Sequence, residues 1–170
     1  MKVLLIDDHV MFRQGIKFLL ADLDESLQFF EAGTFAEAMT SLHKNGADLI
    51  LLDLNMPDGD GLSALREIRA TFSAVPLAVV SGDDNPARIR ELVEEGAAGY
   101  IPKSSSSEIL VAALKLVLAG GVYLPPAALD FVADPHLSVA EAQSRVQLLT
   151  ARQTAVLLKA IQGIPNKAIA

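Results

Sequence analysis

Residues 49–57 read LILLDLNMP, and this stretch constrains the chain more than any other. Four consecutive aliphatic residues, Leu49 to Leu52, run straight into Asp53, followed by a short polar turn with Pro57. An unbroken apolar run of this length suits a strand buried on both faces, as in the middle of a parallel sheet. Such a strand delivers its last residue to the carboxyl edge of the sheet, where open α/β folds place their ligands. Asp53 is therefore expected at the rim of a core, anchored from behind and free in front.

The remaining pattern repeats strand then helix five times. Strands are expected at Val3–Ile6, Leu27–Glu31, Asp48–Leu52, Pro76–Val80 and Ala98–Ile101. Helical spacing follows over Val10–Ala21, Phe35–His43, Leu62–Ala70, Pro86–Glu95 and Glu108–Ala119. Thr34 is placed to cap the second helix, Pro86 suits a first helical turn, and residues 58–61 read as a loop. Alternation of this kind predicts an α/β fold with a doubly wound, five-stranded parallel sheet. The flavodoxin-like strand order 2-1-3-4-5 is the expected topology.

In that order the ends of four strands open on one edge. They carry Asp7 and Asp8, then Asp53, then Ser81, then Lys103 just beyond Pro102. Each has an ordinary explanation taken singly: a solvent-facing acid pair, a turn former, a Ser-Gly turn, a surface lysine. Jointly they set an electrostatic problem. Two carboxylates about 4 Å apart repel by roughly 4 kcal/mol at an effective dielectric near 20. Crowded acids either raise one pKa or recruit a cation. Lys103 offsets one charge, and a hard divalent cation held through oxygen would offset two more. Magnesium suits a site of few carboxylates, waters and a phosphate.

Composition removes several other classes. With no cysteine in 170 residues, a disulfide framework or thiolate metal site is excluded. No apolar run reaches membrane-spanning length, and the N-terminus does not read as a signal peptide, so a soluble cytoplasmic chain with no membrane partner is expected. Charge is uneven. Residues 1–124 carry 10 Lys/Arg against 18 Asp/Glu, whereas residues 148–170 carry 3 basic and no acidic residues. An acidic body with a basic tail suggests two functions on one chain, although a solvated helix face explains three charges equally well.

The motifs LLIDDH, LLDLNMPDGDG, VVSG and GYIPKS together resemble the receiver domain of bacterial two-component response regulators, in order and on the expected elements. The resemblance covers about residues 2–121. It implies that Asp53 accepts a phosphoryl group from a phosphohistidine on a sensor histidine kinase. It implies that Asp7 and Asp8 hold Mg2+, with Asp53 and the main-chain carbonyl of Asn55 completing the site. Ser81 would hydrogen-bond the phosphoryl group, Lys103 would pair with one of its oxygens, and Tyr100 would be the aromatic switch, rotating inward as Ser81 moves. A half-buried aromatic is the plainer reading of Tyr100. His9 has no implied catalytic role. The chain would then be no enzyme beyond its own phosphotransfer and autodephosphorylation, and phosphorylation would favour a homodimer.

Beyond the receiver, residues 122–147 read as a linker. Ser138 and Glu141 form a capping box for a helix within it. Residues 148–170 resemble the opening of the LuxR-type helix-turn-helix of the NarL/FixJ family, through Leu149-Thr150, Arg152, Val156-Leu157, Gly163 and Asn166 to Ala170. Two further helices of that module, including the one that enters the major groove, have no counterpart before Ala170. DNA binding is therefore expected only of a full-length parent, not of this fragment. A stand-alone receiver acting through protein contacts, with a non-functional tail, is the alternative. A flavin carrier is disfavoured because Asp7-Asp8-His9 would repel the flavin phosphate. An aspartyl phosphatase is disfavoured because Asn55 stands where its general acid is needed.

Overall fold

The computed structural model describes residues 1–21 and 26–129. The linker helix expected from Ser138 and the helix-turn-helix fragment 148–170 lie outside the described residues. Within them, β1 (Lys2–Ile6), α1 (Val10–Ala21), β2 (Gln28–Ala32), α2 (Phe35–Asn45) and β3 (Leu49–Leu52) come first. A two-residue hairpin follows, β4 (Asn55–Met56) and β5 (Gly59–Asp60). Then come α3 (Gly61–Thr71), β6 (Leu77–Ser81), α4 (Pro86–Glu94), β7 (Gly99–Pro102), α5 (Ser107–Leu118) and α6 (Pro126–Leu129).

The five long strands form one parallel sheet in the order β2-β1-β3-β6-β7. With the short hairpin set aside, this is the expected order 2-1-3-4-5. Side chains alternate across it as strand geometry requires. Leu4, Ile6, Ile50, Leu52, Leu77, Val79 and Tyr100 face α2, α3 and α4. Val3, Leu5, Leu49, Leu51, Ala78, Val80 and Ile101 face α1 and α5. The central strand β3 is buried throughout, so the aliphatic run of residues 49–52 is explained by two apolar layers rather than one.

The helices start where the sequence places polar caps. The Thr34 hydroxyl accepts from Glu37 N–H at 3.2 Å and Asn85 Oδ1 from Ala87 N–H at 3.0 Å, with Pro86 in the first turn of α4. Each cap satisfies a donor with no intrahelical partner and contributes about 1 kcal/mol. Gly46 ends α2 at φ 66°, a conformation a β-carbon disfavours.

Two regions differ from expectation. Residues 58–61 do not form a plain loop. Asn55 pairs with Asp60 and Met56 with Gly59 across the Pro57-Asp58 turn. Asp58 Oδ2 also accepts from Phe35 N–H at 2.7 Å, which ties this turn to the start of α2. A hairpin of four paired residues is too short to show alternation. Second, the beginning of the expected 122–147 linker packs on the sheet. Tyr100 N–H donates to the Tyr123 carbonyl at 2.9 Å, and Tyr123 N–H donates to Ala98 at 3.3 Å. Tyr123 thereby covers part of the outer edge of β7, and Leu124 and Ala128 join the core beside Tyr100.

Gly61 fixes the angle at which α3 leaves the hairpin. A β-carbon there would lie 2.4 Å from the Leu54 α-carbon and 2.7 Å from its carbonyl oxygen, which are backbone atoms that cannot turn aside. Gly61→Ala is expected to destabilise the fold by about 1–3 kcal/mol, the range for overpacking a filled site. Urea denaturation of the two proteins measures it, and equal midpoints would show that Leu54 yields freely.

Candidate functional site

Strand register builds the site. Asp53 N–H donates to the Ile6 carbonyl at 2.8 Å, Asp7 N–H to Ala32 at 3.1 Å, and Lys103 N–H to Ser81 at 2.8 Å. Each functional residue is thus bonded to a neighbouring strand end at the last rung of the sheet. Their side chains start from one level of the carboxyl edge, and differences in length decide what meets.

Asp53 is 2% exposed and Asp7 3% exposed. Burial of an unpaired carboxylate is costly, and here both are paired. Lys103 Nζ lies 2.7 Å from Asp53 Oδ2 and 2.8 Å from Asp7 Oδ2, bridging the ends of β1 and β3. The ammonium also sits 4.6 Å from the centre of the Phe12 ring. Burial works against the charged lysine, but its contacts with Asp53 and Asp7 outweigh that, so its pKa stands above the ordinary 10.5. Asp53 Oδ1 accepts from Asn55 N–H at 3.2 Å, and Asp7 Oδ1 from His9 N–H at 2.7 Å.

Asp8 is more open. His9 Nδ1 lies 2.6 Å from Asp8 Oδ1 and 3.1 Å from Asp7 Oδ1. Asp7, Asp8, His9 and Asp53 each bring one donor atom within 4.8 Å of the others. Three carboxylates against one ammonium leave two negative charges. An acidic, oxygen-rich group with that excess fits a hard divalent cation. Asn55 is exposed at the start of β4, two residues beyond Asp53.

Ser81 is fully buried at the end of β6, with its hydroxyl accepting from Asp83 N–H at 3.2 Å. Tyr100 departs from expectation: its side chain is already inward and fully buried, neither half-exposed nor waiting outside. The ring belongs to the apolar layer that includes Ile89 and Leu92 of α4. Its hydroxyl has no well-formed hydrogen bond among the described residues. Burial pushes the phenol above its ordinary value near 10, with the nearby Ser81 hydroxyl acting the other way. Asp7, Asp53, Ser81 and Lys103 thus meet at the expected edge, whereas full burial of Tyr100 has no signal in the sequence. The roles of His9 and Arg13 as partners of the acids were likewise not expected. The Arg13 guanidinium donates to the Asp7 main-chain carbonyl, and its position one helical turn after His9 was the available signal.

Comparison with known proteins agrees with this geometry. The family model described as response regulator receiver domain matches residues 3–115. The chain belongs to the response regulator receiver family. Among its relatives, the transcriptional regulatory protein UhpA of Escherichia coli (strain K12) is 34% identical over 169 residues, covering 99% of this chain and 80% of UhpA. The glycerol metabolism activator of Pseudomonas putida is 33% identical over 179 residues, covering 99% of this chain and 79% of that protein. A crystal structure of a LuxR-family two-component response regulator from Aurantimonas sp. SI85-9A1 superposes with a TM-score of 0.71 at 28% identity, over 81% of this chain and 98% of the other.

The receiver is thus that of a LuxR-type response regulator, a component of two-component systems, in which phosphorylation of an aspartate is the general mechanism. Receivers bind Mg2+ through acidic residues, and the acid cluster described above has that character. Response regulators are in general not true enzymes, and those of this kind interact with histidine kinases and DNA. Among the described residues, no helix is long and apolar enough to cross a membrane.

Lys103 gives a pH test of the bridge. Because its pKa is raised on folding, the stability it contributes is fully present below its ordinary 10.5 and is lost as pH climbs through the higher folded value. Lys103→Met is expected to cost about 3 kcal/mol at neutral pH, the lower end for removing one partner of a buried ion pair. The gap to wild type should narrow at pH values above about 10.5. Urea denaturation across a pH series reads both, and a gap that stays constant into strong alkali would remove the ammonium from the account.

Proposed function

We propose that Asp53 is the phosphoacceptor of this receiver and that Asp7, Asp8, Ser81 and Lys103 serve the transfer. The reading is supported above all by the bridge from Lys103 Nζ to Asp53 and Asp7 at the mouth of an acid cluster. A carboxylate paired with an ammonium beside an uncompensated pair of charges is suited to receiving an anionic group. Positioning and charge neutralisation are most of what phosphoryl transfer asks of a protein.

In the proposed reaction a carboxylate oxygen of Asp53 attacks phosphorus of a phosphohistidine on a sensor histidine kinase. An O–P bond forms, the P–N bond breaks, and the electron pair leaves with the imidazole nitrogen. Asp7, Asp8, Asp53 and the main-chain carbonyl of Asn55 would hold Mg2+. When bound, the ion supplies charge neutralisation at the phosphoryl oxygens. Lys103 exchanges its contact with Asp53 for one with a phosphoryl oxygen, and the Ser81 hydroxyl donates to another. Water attack on the acyl phosphate later returns Asp53, so the chain turns over only its own phosphoryl group.

The new group carries roughly one to two negative charges and three strong acceptors. Movement of Ser81 toward it changes the surroundings of Tyr100, the proposed switch, on the side that packs against α4. The result is a shift between two packings of one fold, favouring a homodimer. In domain terms, residues 1–121 are the receiver, 122–147 the linker and 148–170 the start of a LuxR-type DNA-binding module. Packing of Tyr123 and α6 suggests that the linker starts on the receiver. Transcriptional output in an intact parent, working in the cytoplasm, is supported by relatives such as UhpA, which is named as a transcriptional regulator.

Mass measurement after incubation with acetyl phosphate and Mg2+ tests the assignment. Wild type should gain one phosphoryl group, lose most of that labelling when EDTA removes the metal, and gain none as Asp53→Asn. Full labelling of Asp53→Asn would refute Asp53 as acceptor.

A further inference from the structure

Asp7 and Asp8 share a peptide bond, so the orientation of one peptide plane governs where the two carboxylates stand relative to each other. The carbonyl of that peptide is the Asp7 main-chain oxygen, and Nη1 of Arg13 donates to it. The N–H on the other side of Asp7 is held by the Ala32 carbonyl at the end of β2, at 3.1 Å. The peptide groups flanking the Asp7 α-carbon are thus held one by β2 and the other by Arg13 of α1, while the carboxylate meets Lys103 and the His9 N–H.

Arg13 is itself held in place. Its Nε donates to Glu31 Oε2 on β2 at 2.8 Å, and Glu31 Oε1 takes Lys17 Nζ at 2.5 Å. These two cations, Lys17 first, hold the Glu31 carboxyl below its ordinary range. The Arg13 side chain is only 13% exposed. A guanidinium suits this place because its planar fork donates in two fixed directions at once, to a main-chain carbonyl and to a carboxylate. Lysine offers a compact charge without that fork.

We infer that Arg13 is a positioning residue for the acid pair: by clamping the Asp7–Asp8 peptide it sets the spacing of the carboxylates that hold Mg2+. The inference rests on the proposed reading of Asp7 and Asp8 as metal-holding residues. Arg13 bonds to a main-chain carbonyl and to Glu31 rather than to the carboxylates of the acid pair, so its effect should appear in metal affinity and not in the transfer step. Partners that orient metal ligands from outside typically change affinity by about 10–100-fold when removed.

Titration of the full chain with Mg2+, followed by calorimetry and by amide shifts in NMR spectra, tests this without any phosphotransfer readout. Arg13→Ala should weaken Mg2+ binding about tenfold or more. Arg13→Lys should recover part of the loss, and Glu31→Gln, which keeps the guanidinium but loosens it, should fall between wild type and Arg13→Ala. Labelling by acetyl phosphate should need more Mg2+ in Arg13→Ala, yet approach the wild-type rate at saturation. Unchanged Mg2+ affinity in folded Arg13→Ala would overturn the inference, as would slow labelling that saturating Mg2+ does not relieve. Should Arg13→Ala not fold, Arg13→Lys and Glu31→Gln decide the matter, and wild-type affinity in both would overturn it. A wild-type chain that binds no Mg2+ at all would instead refute the acid-pair reading on which the inference stands.

Discussion

Two buried carboxylates at the ends of adjacent strands share one ammonium, and most of the architecture serves to make that arrangement tolerable. Asp7 and Asp53 are each nearly inaccessible, which for isolated anions would cost several kcal/mol apiece. Lys103 recovers part of this by touching both, but one positive charge cannot neutralise the two carboxylates and Asp8 beside them. The resting site therefore keeps an excess of negative charge inside a well-packed edge. That repulsion is contained by the apolar layers behind it. A slip of β3 by one residue would turn Ile50 and Leu52 from one filled layer to the other.

The same layers explain what was legible in the sequence. Uninterrupted aliphatic runs at Val3–Ile6 and Leu49–Leu52 have one natural reading, strands covered on both faces, and parallel register then places their terminal acids together. The alternation of five strands with helices gives the order, and the ends of β6 and β7 bring Ser81 and Lys103 to the same edge. What stayed hidden depends on interactions with no periodic signature. The hairpin of Asn55 to Asp60 is held by two residue pairs and by Asp58 reaching Phe35. The bond from Arg13 to Asp7 depends on where a long side chain folds back. The prolines at 125 and 126 read as a linker because a single main-chain bridge at Tyr123 leaves no pattern.

Connections from the site to α4 differ in kind. Arg88 pairs with Asp60 at 2.9 Å and Arg66 with Glu95 at 2.7 Å, tying α4 to the hairpin and to α3. Both pairs are exposed to solvent, so each contributes little. Ile89 and Leu92 are fully buried against the sheet and dominate the seating of the helix. Charge pairs thus align α4 without fixing it firmly, whereas displacement of its apolar face requires a change in the core residues beneath. Tyr100 is the core residue there that also adjoins Ser81.

The energetics of Tyr100 suit the role proposed for it. Burying an aromatic ring of this kind contributes about 1.5–3 kcal/mol. Burying its hydroxyl without a well-formed hydrogen bond costs about 1–3 kcal/mol. The second offsets part of the first, and the nearby Ser81 hydroxyl is the polar group placed to relieve it. The Tyr100 main-chain N–H is bonded to the Tyr123 carbonyl, which fixes the backbone at this position. Movement of Ser81 toward a phosphoryl group on Asp53, as proposed, would alter the polar surroundings of the Tyr100 hydroxyl. Leu124 and Ala128 belong to the same apolar cluster, so a change in the packing of the ring would be felt by the segment that follows β7 and α5 through that shared core.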